Sequence, residues 1–157
     1  MSVITHDSIQ PSAGEQLRQF VTFRLARVQA KLNAQSSRIL KDHSGITLTQ
    51  WRLLSLIGAA GSTTAAHLSR EVAMDKGLIS RNIKTMVADG YVRVSVDPDD
   101  SRAQNLELTE SGLDMLNNTA PRMHARQDAI HALMDPEEEA VMNRVLDRLE
   151  RAAEERN

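Results

Sequence analysis

Apolar residues in this 157-residue chain recur mostly three or four positions apart and alternate clearly in only one region. Between Glu15 and Asp42, residues Leu17, Val21, Leu25, Val28, Leu32 and Ile39 fall on one face of a long helix near heptad spacing. So small a domain cannot cover a helix of that length, so the pattern predicts a partner helix from a second chain; the alternative is a bundle helix within the chain. His43-Ser44-Gly45 ends the helix. Thr47 with Gln50 three residues later fits a capping box, and Ile46 and Trp51 occupy the staple positions. The helix they open runs through Leu53, Leu54, Leu56 and Ile57 to Gly58 or Gly61.

Thr64 can cap a short helix, Ala65 to Glu71, that buries Ala66 and Leu68. After Val72 to Met74, Asp75 can cap the next helix, Lys76 to Ala88, with Ile79, Ile83, Met86 and Val87 inward. Gly90 stands where a left-handed C-terminal residue is expected. Tyr91 to Val96 then alternates, with Val92, Val94 and Val96 on one side and Arg93 and Ser95 on the other. Asp97-Pro98-Asp99-Asp100 reads as a turn, and Ala103 to Leu108 as a returning strand with Leu106 and Leu108 inward. Thr109 can cap a helix presenting Leu113, Leu116, Ala120, Met123, Ile130 and Leu133, which Pro121 should kink or interrupt. Asp135-Pro136-Glu137-Glu138 opens a last helix that should bury Val141, Val145, Leu146 and Leu149.

The pattern therefore predicts a mainly α chain with a small β-wing. A winged helix-turn-helix spans 46–109, with its helix pair at about 64–88 and its wing at 91–108. Helices at 15–42 and 110–153 flank it as dimerisation helices. Residues 1–14 read as a flexible arm, 154–157 as a tail.

Composition sharpens this. Aromatics are only 3% of residues against 41% hydrophobic, so the core must be aliphatic, which suits helices. The absence of cysteine excludes disulfides, thiolate metal sites and thiol-based peroxide sensing within these residues. No 18-residue apolar run exists, and Met1 to Gly14 lacks the pattern of a signal peptide, so a cytoplasmic protein without membrane contact is expected. The net charge of −2 alone would disfavour nucleic acid. Its distribution does not: residues 1–61 hold seven Lys/Arg and three acids, whereas 110–157 hold six and eleven. That asymmetry suits a DNA face backed by an acidic assembly face.

The chemistry concentrates on 76–88. Away from its apolar face lie Lys76, Gly77, Ser80, Arg81 and Lys84, with Leu78 near the start. Lys and Arg neutralise phosphates or reach guanine O6 and N7, Gly77 lets backbone approach closely, and Leu78 can touch a thymine methyl. A solvated polar face is the bland alternative. The wing tip is electrostatically poor for DNA: Asp97, Asp99 and Asp100 repel it, and Arg102 is the one cation there. His43, His67, His124 and His131 form no compact metal signature, so neither a metal nor another cofactor is expected. No P-loop, dinucleotide motif or nucleophile elbow argues for an enzyme. The second alternative is a helix-turn-helix turned to protein binding, an adaptor or antagonist of another regulator.

The order of elements and several runs resemble the MarR family. They are Leu48-Thr49-Gln50-Trp51-Arg52, Met74 to Arg81, Asp97-Pro98-Asp99-Asp100-Ser101-Arg102 leading into Leu106 to Gly112, and Met134-Asp135-Pro136-Glu137-Glu138. The resemblance implies a homodimeric winged-helix transcription regulator, often a repressor, released from a pseudo-palindromic operator on double-stranded DNA by a small effector such as an aromatic metabolite. By the family's wing pattern, Asp100 is the wing aspartate and Arg102 the minor-groove arginine. Ser101 stands where many members carry a second arginine, which weakens the wing, and His67 where many carry an acid. The family's effector usually binds between dimerisation helices and winged unit, where Phe20, Phe23, Arg24, Arg27, Trp51, Met123 and Arg126 are the candidates. Packing accounts equally well for the apolar ones.

Overall fold

Local hydrogen bonds at the helix starts set the element boundaries in the computed structural model, which describes residues 13–96 and 104–155. The elements are α1 (Ala13–Gln19), α2 (Val21–His43), α3 (Leu48–Ala60), β1 (Thr63–Thr64), α4 (Ala65–Glu71), α5 (Lys76–Ala88), β2 (Val92–Val96), β3 (Gln104–Leu108), α6 (Glu110–His131) and α7 (Pro136–Glu154). At α3 the Gln50 amide donates to Thr47 Oγ1 (3.2 Å) while the Thr47 amide donates to Gln50 Oε1 (2.8 Å), a reciprocal box. Asp135 and Glu138 repeat it at α7. Thr64, Asp75 and Thr109 cap α4, α5 and α6. α5 ends on Gly90 at φ 79°, with the Tyr91 amide reaching Met86 O and the Gly90 amide reaching Val87 O. Only glycine takes that backbone without a Cβ penalty.

The core lies inside the winged unit. Leu53, Leu54 and Ile57 of α3 are fully buried, joined by Leu40, Leu68, Ile79, Met86, Val92 and Leu106. α3 packs against α2, α5, α6 and β3, which makes it the central strut. The sheet is three-stranded and antiparallel in the order β1-β3-β2, with Leu106 opposite both Thr63 and Val94. The mainly α fold with a small β-wing is the one expected. β1 is an addition: two residues show no alternation, and only pairing with β3 makes them a strand.

Several expectations need correcting. The first helix is broken at Phe20, whose backbone is extended (ψ 127°). Phe20-Val21-Thr22 is a weak helix-forming run, and no burial there compensates. Of the two ends expected for α3, Gly58 or Gly61, the structure takes the second, with Gly61 as its cap. In α4 it is Leu68 and Ser69 that are buried, not Ala66, and Val87 of α5 is exposed. Pro121 does not interrupt α6: a proline forfeits one backbone bond, while buried Thr119 and Met123 hold the helix on either side. Val94 (41%) and Val96 (62%) remain exposed because only the start of β2 reaches the core. Leu113 and Leu133 are exposed too.

α7 departs most. No residue in it is buried, and Val141, Met142, Val145 and Leu146 face solvent. It continues through Glu154, past the expected start of the solvated tail. Leu17, Val21, Leu25, Val28 and Leu32 on α1–α2 are likewise exposed, as a helix awaiting a partner requires. Among the described residues, no helix is long and apolar enough to cross a membrane.

α6 meets the wing stem backbone to backbone. The Thr109 amide donates to Tyr91 O (3.1 Å), and the Thr109 hydroxyl donates to Gly90 O. A Cβ on Gly112 would lie 2.0 Å from Tyr91 O. Gly112→Ala should therefore cost about 1–3 kcal/mol of unfolding free energy through overpacking, measured by urea denaturation. An unchanged midpoint would mean that the joint is looser than described.

Candidate nucleic-acid interface

α5 is fixed at both ends of its first turn before any ligand is considered. Asp75 Oδ1 accepts the Leu78 amide at 3.1 Å. The tight connection from α4 passes through Ala73 in the left-handed region (φ 48°), and the Ser69 hydroxyl donates to Met74 O at 2.7 Å. A non-glycine residue there carries backbone strain. Ser69, itself buried, holds the turn closed. Ile79, Ile83 and Met86 anchor the inner face of α5 in the core.

The opposite face displays Lys76, Ser80, Arg81 and Lys84, all exposed, with Gly77 half-buried and Leu78 exposed beside them. These six share one helix surface. No described acid forms an ion pair with Lys76, Arg81 or Lys84. Asn82 and Thr85 instead bond back to Leu78 O and Arg81 O of their own helix. The face thus offers three cations and a hydroxyl on a rigid rod, a set that can neutralise phosphates and donate to base edges.

The wing stem differs. Arg93 and Glu107 sit opposite each other on β2 and β3, and the Arg93 guanidinium donates through Nε (2.8 Å) and Nη2 to Glu107 Oε2. The pair fastens the register and neutralises Arg93, and being exposed it adds at most about 1 kcal/mol. Asp100 and Arg102 lie outside the described residues.

The candidate effector residues do not share one wall. Phe20 is exposed at the α1–α2 break, Arg24 is exposed on α2, Trp51 is half-buried on α3, and Met123 is buried on α6. Trp51 lines a cavity of about 430 Å³ with Gln29, Arg52, Ser55, Leu56, Glu71 and Val72; the other three candidates are not on its wall. Arg52, which donates to Asn33 Oδ1 (3.1 Å), is a lining residue that the sequence pattern did not single out. Its signal is a lone charge inside the otherwise uncharged Leu48–Ala60 run. Arg126 acts mechanically, donating to Gln35 Oε1 and Leu32 O, both at 3.1 Å, and so clamping α6 to α2. A second cavity, about 590 Å³, opens between these helices beside Ile39, His43, Arg122 and Leu133.

Comparison with known proteins places this geometry in context. The model of the MarR family matches residues 44–103. The HTH-type transcriptional repressor IacR of Pseudomonas putida is 26% identical over 109 residues, covering 69% of this chain and 65% of that protein. The chain thus matches just under two-thirds of that relative's length. A MarR/EmrR family transcriptional regulator from Acinetobacter sp. ADP1 superposes with a TM-score of 0.82 at 22% identity, over 87% of this chain and 96% of that one. The M. tuberculosis transcriptional regulator MOSR, solved in complex with DNA, gives 0.73 at 26% identity, over 87% and 97%.

The α4–α5 turn is the part of this interface most open to test. Ser69→Ala leaves Met74 O without its donor and should cost about 1–2 kcal/mol of stability, with the denaturant dependence unchanged. Wild-type stability in that variant would show that the bond does not hold the turn.

Proposed function

We propose that this chain, whose residues 44–103 match the model of the MarR family, is a winged helix-turn-helix regulator of that kind: a cytoplasmic homodimer that binds a pseudo-palindromic operator and represses transcription until a small effector releases it. The observation that carries this is the outer face of α5, where Lys76, Arg81 and Lys84 stand free of described acidic partners on a helix locked into the core. A helix so presented fits the major groove with its first residues nearest the base edges. Lys76 and Lys84 serve phosphates; Gly77, Leu78, Ser80 and Arg81 face bases. Arg102, steadied by Asp100, is the proposed minor-groove contact.

The dimer is supported by the two exposed apolar faces, on α1–α2 and on α7. An isolated amphipathic helix of 19 residues gains its stability from burying its apolar face, which here has no cover among the described residues. We assign the effector, a small aromatic acid or similar metabolite, to the space between α2 and the winged unit. Trp51 and Arg52 stand on its wall, Phe20 and Arg24 lie earlier on the α1–α2 arm, and Met123 is a buried core residue of α6. Filling that space would shift α2 against α3 and so change the separation of two α5 helices. The neutralised Arg93–Glu107 pair favours, as a second reading, a protein-binding adaptor.

Salt titration separates the two. With Lys76 and Lys84 of both protomers on phosphates, log affinity for duplex DNA upstream of its own gene should fall against log salt with a slope of about −4 or steeper, and Lys84→Ala should shallow it by about 2. Salt-insensitive binding, or none, would favour the adaptor. For the dimer, Val141→Asp with Val145→Asp should give a monomer by sedimentation at micromolar concentration and at least about tenfold weaker operator binding. A variant that still sediments as a dimer would remove α7 from the interface.

A further inference from the structure

In the first turn of α5, opposite charges close in over the bare backbone of Gly77. A Cβ placed on Gly77 would lie 2.9 Å from Asp75 Oδ1 and 3.5 Å from Arg81 Nη1. Both groups therefore flank the bare backbone of one residue. The arrangement follows from helix geometry: side chains lean toward the N-terminus, so Arg81, four residues on, folds back over Gly77. Asp75 is held in place by the Leu78 amide. None of the described ion pairs joins Asp75 to Arg81, so the guanidinium keeps its donors and the carboxylate keeps its second oxygen.

Building on α5 as the major-groove helix, we propose that Asp75, Gly77 and Arg81 together read a single G·C base pair in each half-site, with Gly77 as the specificity-determining position. In the major groove a G·C pair presents guanine N7 and O6 as acceptors and, beside them, the cytosine N4 amino group as donor. Arg81 donates to the two acceptors and Asp75 accepts from the amino group. The absent Cβ lets both groups lie close over the helix backbone, side by side toward the edge of the pair. An A·T pair in the same place sets the adenine N6 amino group against the guanidinium and thymine O4 against the carboxylate. Discrimination thus comes from repulsion by the wrong pair as well as attraction by the right one. A Cβ at position 77 presses on the Asp75 carboxylate, 2.9 Å away, and displaces that reader from beside Arg81.

The test uses the full-length protein and a randomised double-stranded DNA library. Wild type should select one fixed G·C pair per half-site. Replacing that guanine by 7-deazaguanine in the selected duplex should weaken wild-type binding about tenfold and binding by Arg81→Ala less than about twofold. Gly77→Ala, which adds a stronger helix former, should abolish the preference for G·C over A·T at that pair. Asp75→Ser keeps a capping residue while withdrawing the carboxylate, and should lose preference at the same pair. Selected duplex bound with no G·C position sensitive to these variants would overturn the proposal while leaving α5 in the groove. Wild type that binds no duplex would overturn the proposal and the reading beneath it together.

Discussion

The joint between α6 and the wing stem is the constraint on which the rest depends. Gly112 brings the helix backbone against Tyr91 O, and Thr109 adds two hydrogen bonds to the same stretch. Within the chain, α6 reaches the winged unit there and along α3, where Leu116 closes on Gly58. A backbone-to-backbone joint has few soft degrees of freedom. The orientation of α6 is thereby transmitted to β2, and from β2 to the Schellman end of α5. Two copies joined through their flanking helices would then hold two α5 helices at a defined spacing.

Apolar surface is divided along the same line. The winged unit buries most of its leucines and isoleucines around α3, whereas α1, α7 and α2 as far as Leu32 leave most of theirs in solvent. Charge follows suit, with free cations on α5 and acids in the first turn of α7. The winged unit takes little of its buried core from outside itself, chiefly Leu40 and Met123, whereas the flanking helices leave much of their apolar surface bare. The Arg126 clamp on Leu32 O and Gln35 ties α6 to α2 across this boundary.

What the sequence revealed depended on how local the determining physics was. Caps at Thr47, Thr64, Asp75, Thr109 and Asp135 were legible because each rests on contacts two to three residues away. The outward set on α5 was legible for the same reason, since helical period alone separates Ile79, Ile83 and Met86 from Lys76, Arg81 and Lys84. β1 was not, because Thr63–Thr64 becomes a strand only through β3, some forty residues later in the chain. Val94, Val96 and the apolar positions of α7 were misjudged because periodicity shows which residues share a face, not whether anything covers it. The Trp51 cavity draws on α2, α3 and the α4 terminus, so Gln29 and Glu71 had no shared pattern to expose them. Arg81 over Gly77 needed coordinates altogether.

The most direct test of the central claim is methylation interference on the selected duplex. If two α5 helices enter successive major grooves, methyl groups at guanine N7 should block binding in two patches about 10–10.5 base pairs apart, centre to centre. Interference confined to one patch, or none at guanine N7, would contradict a dimeric major-groove reader.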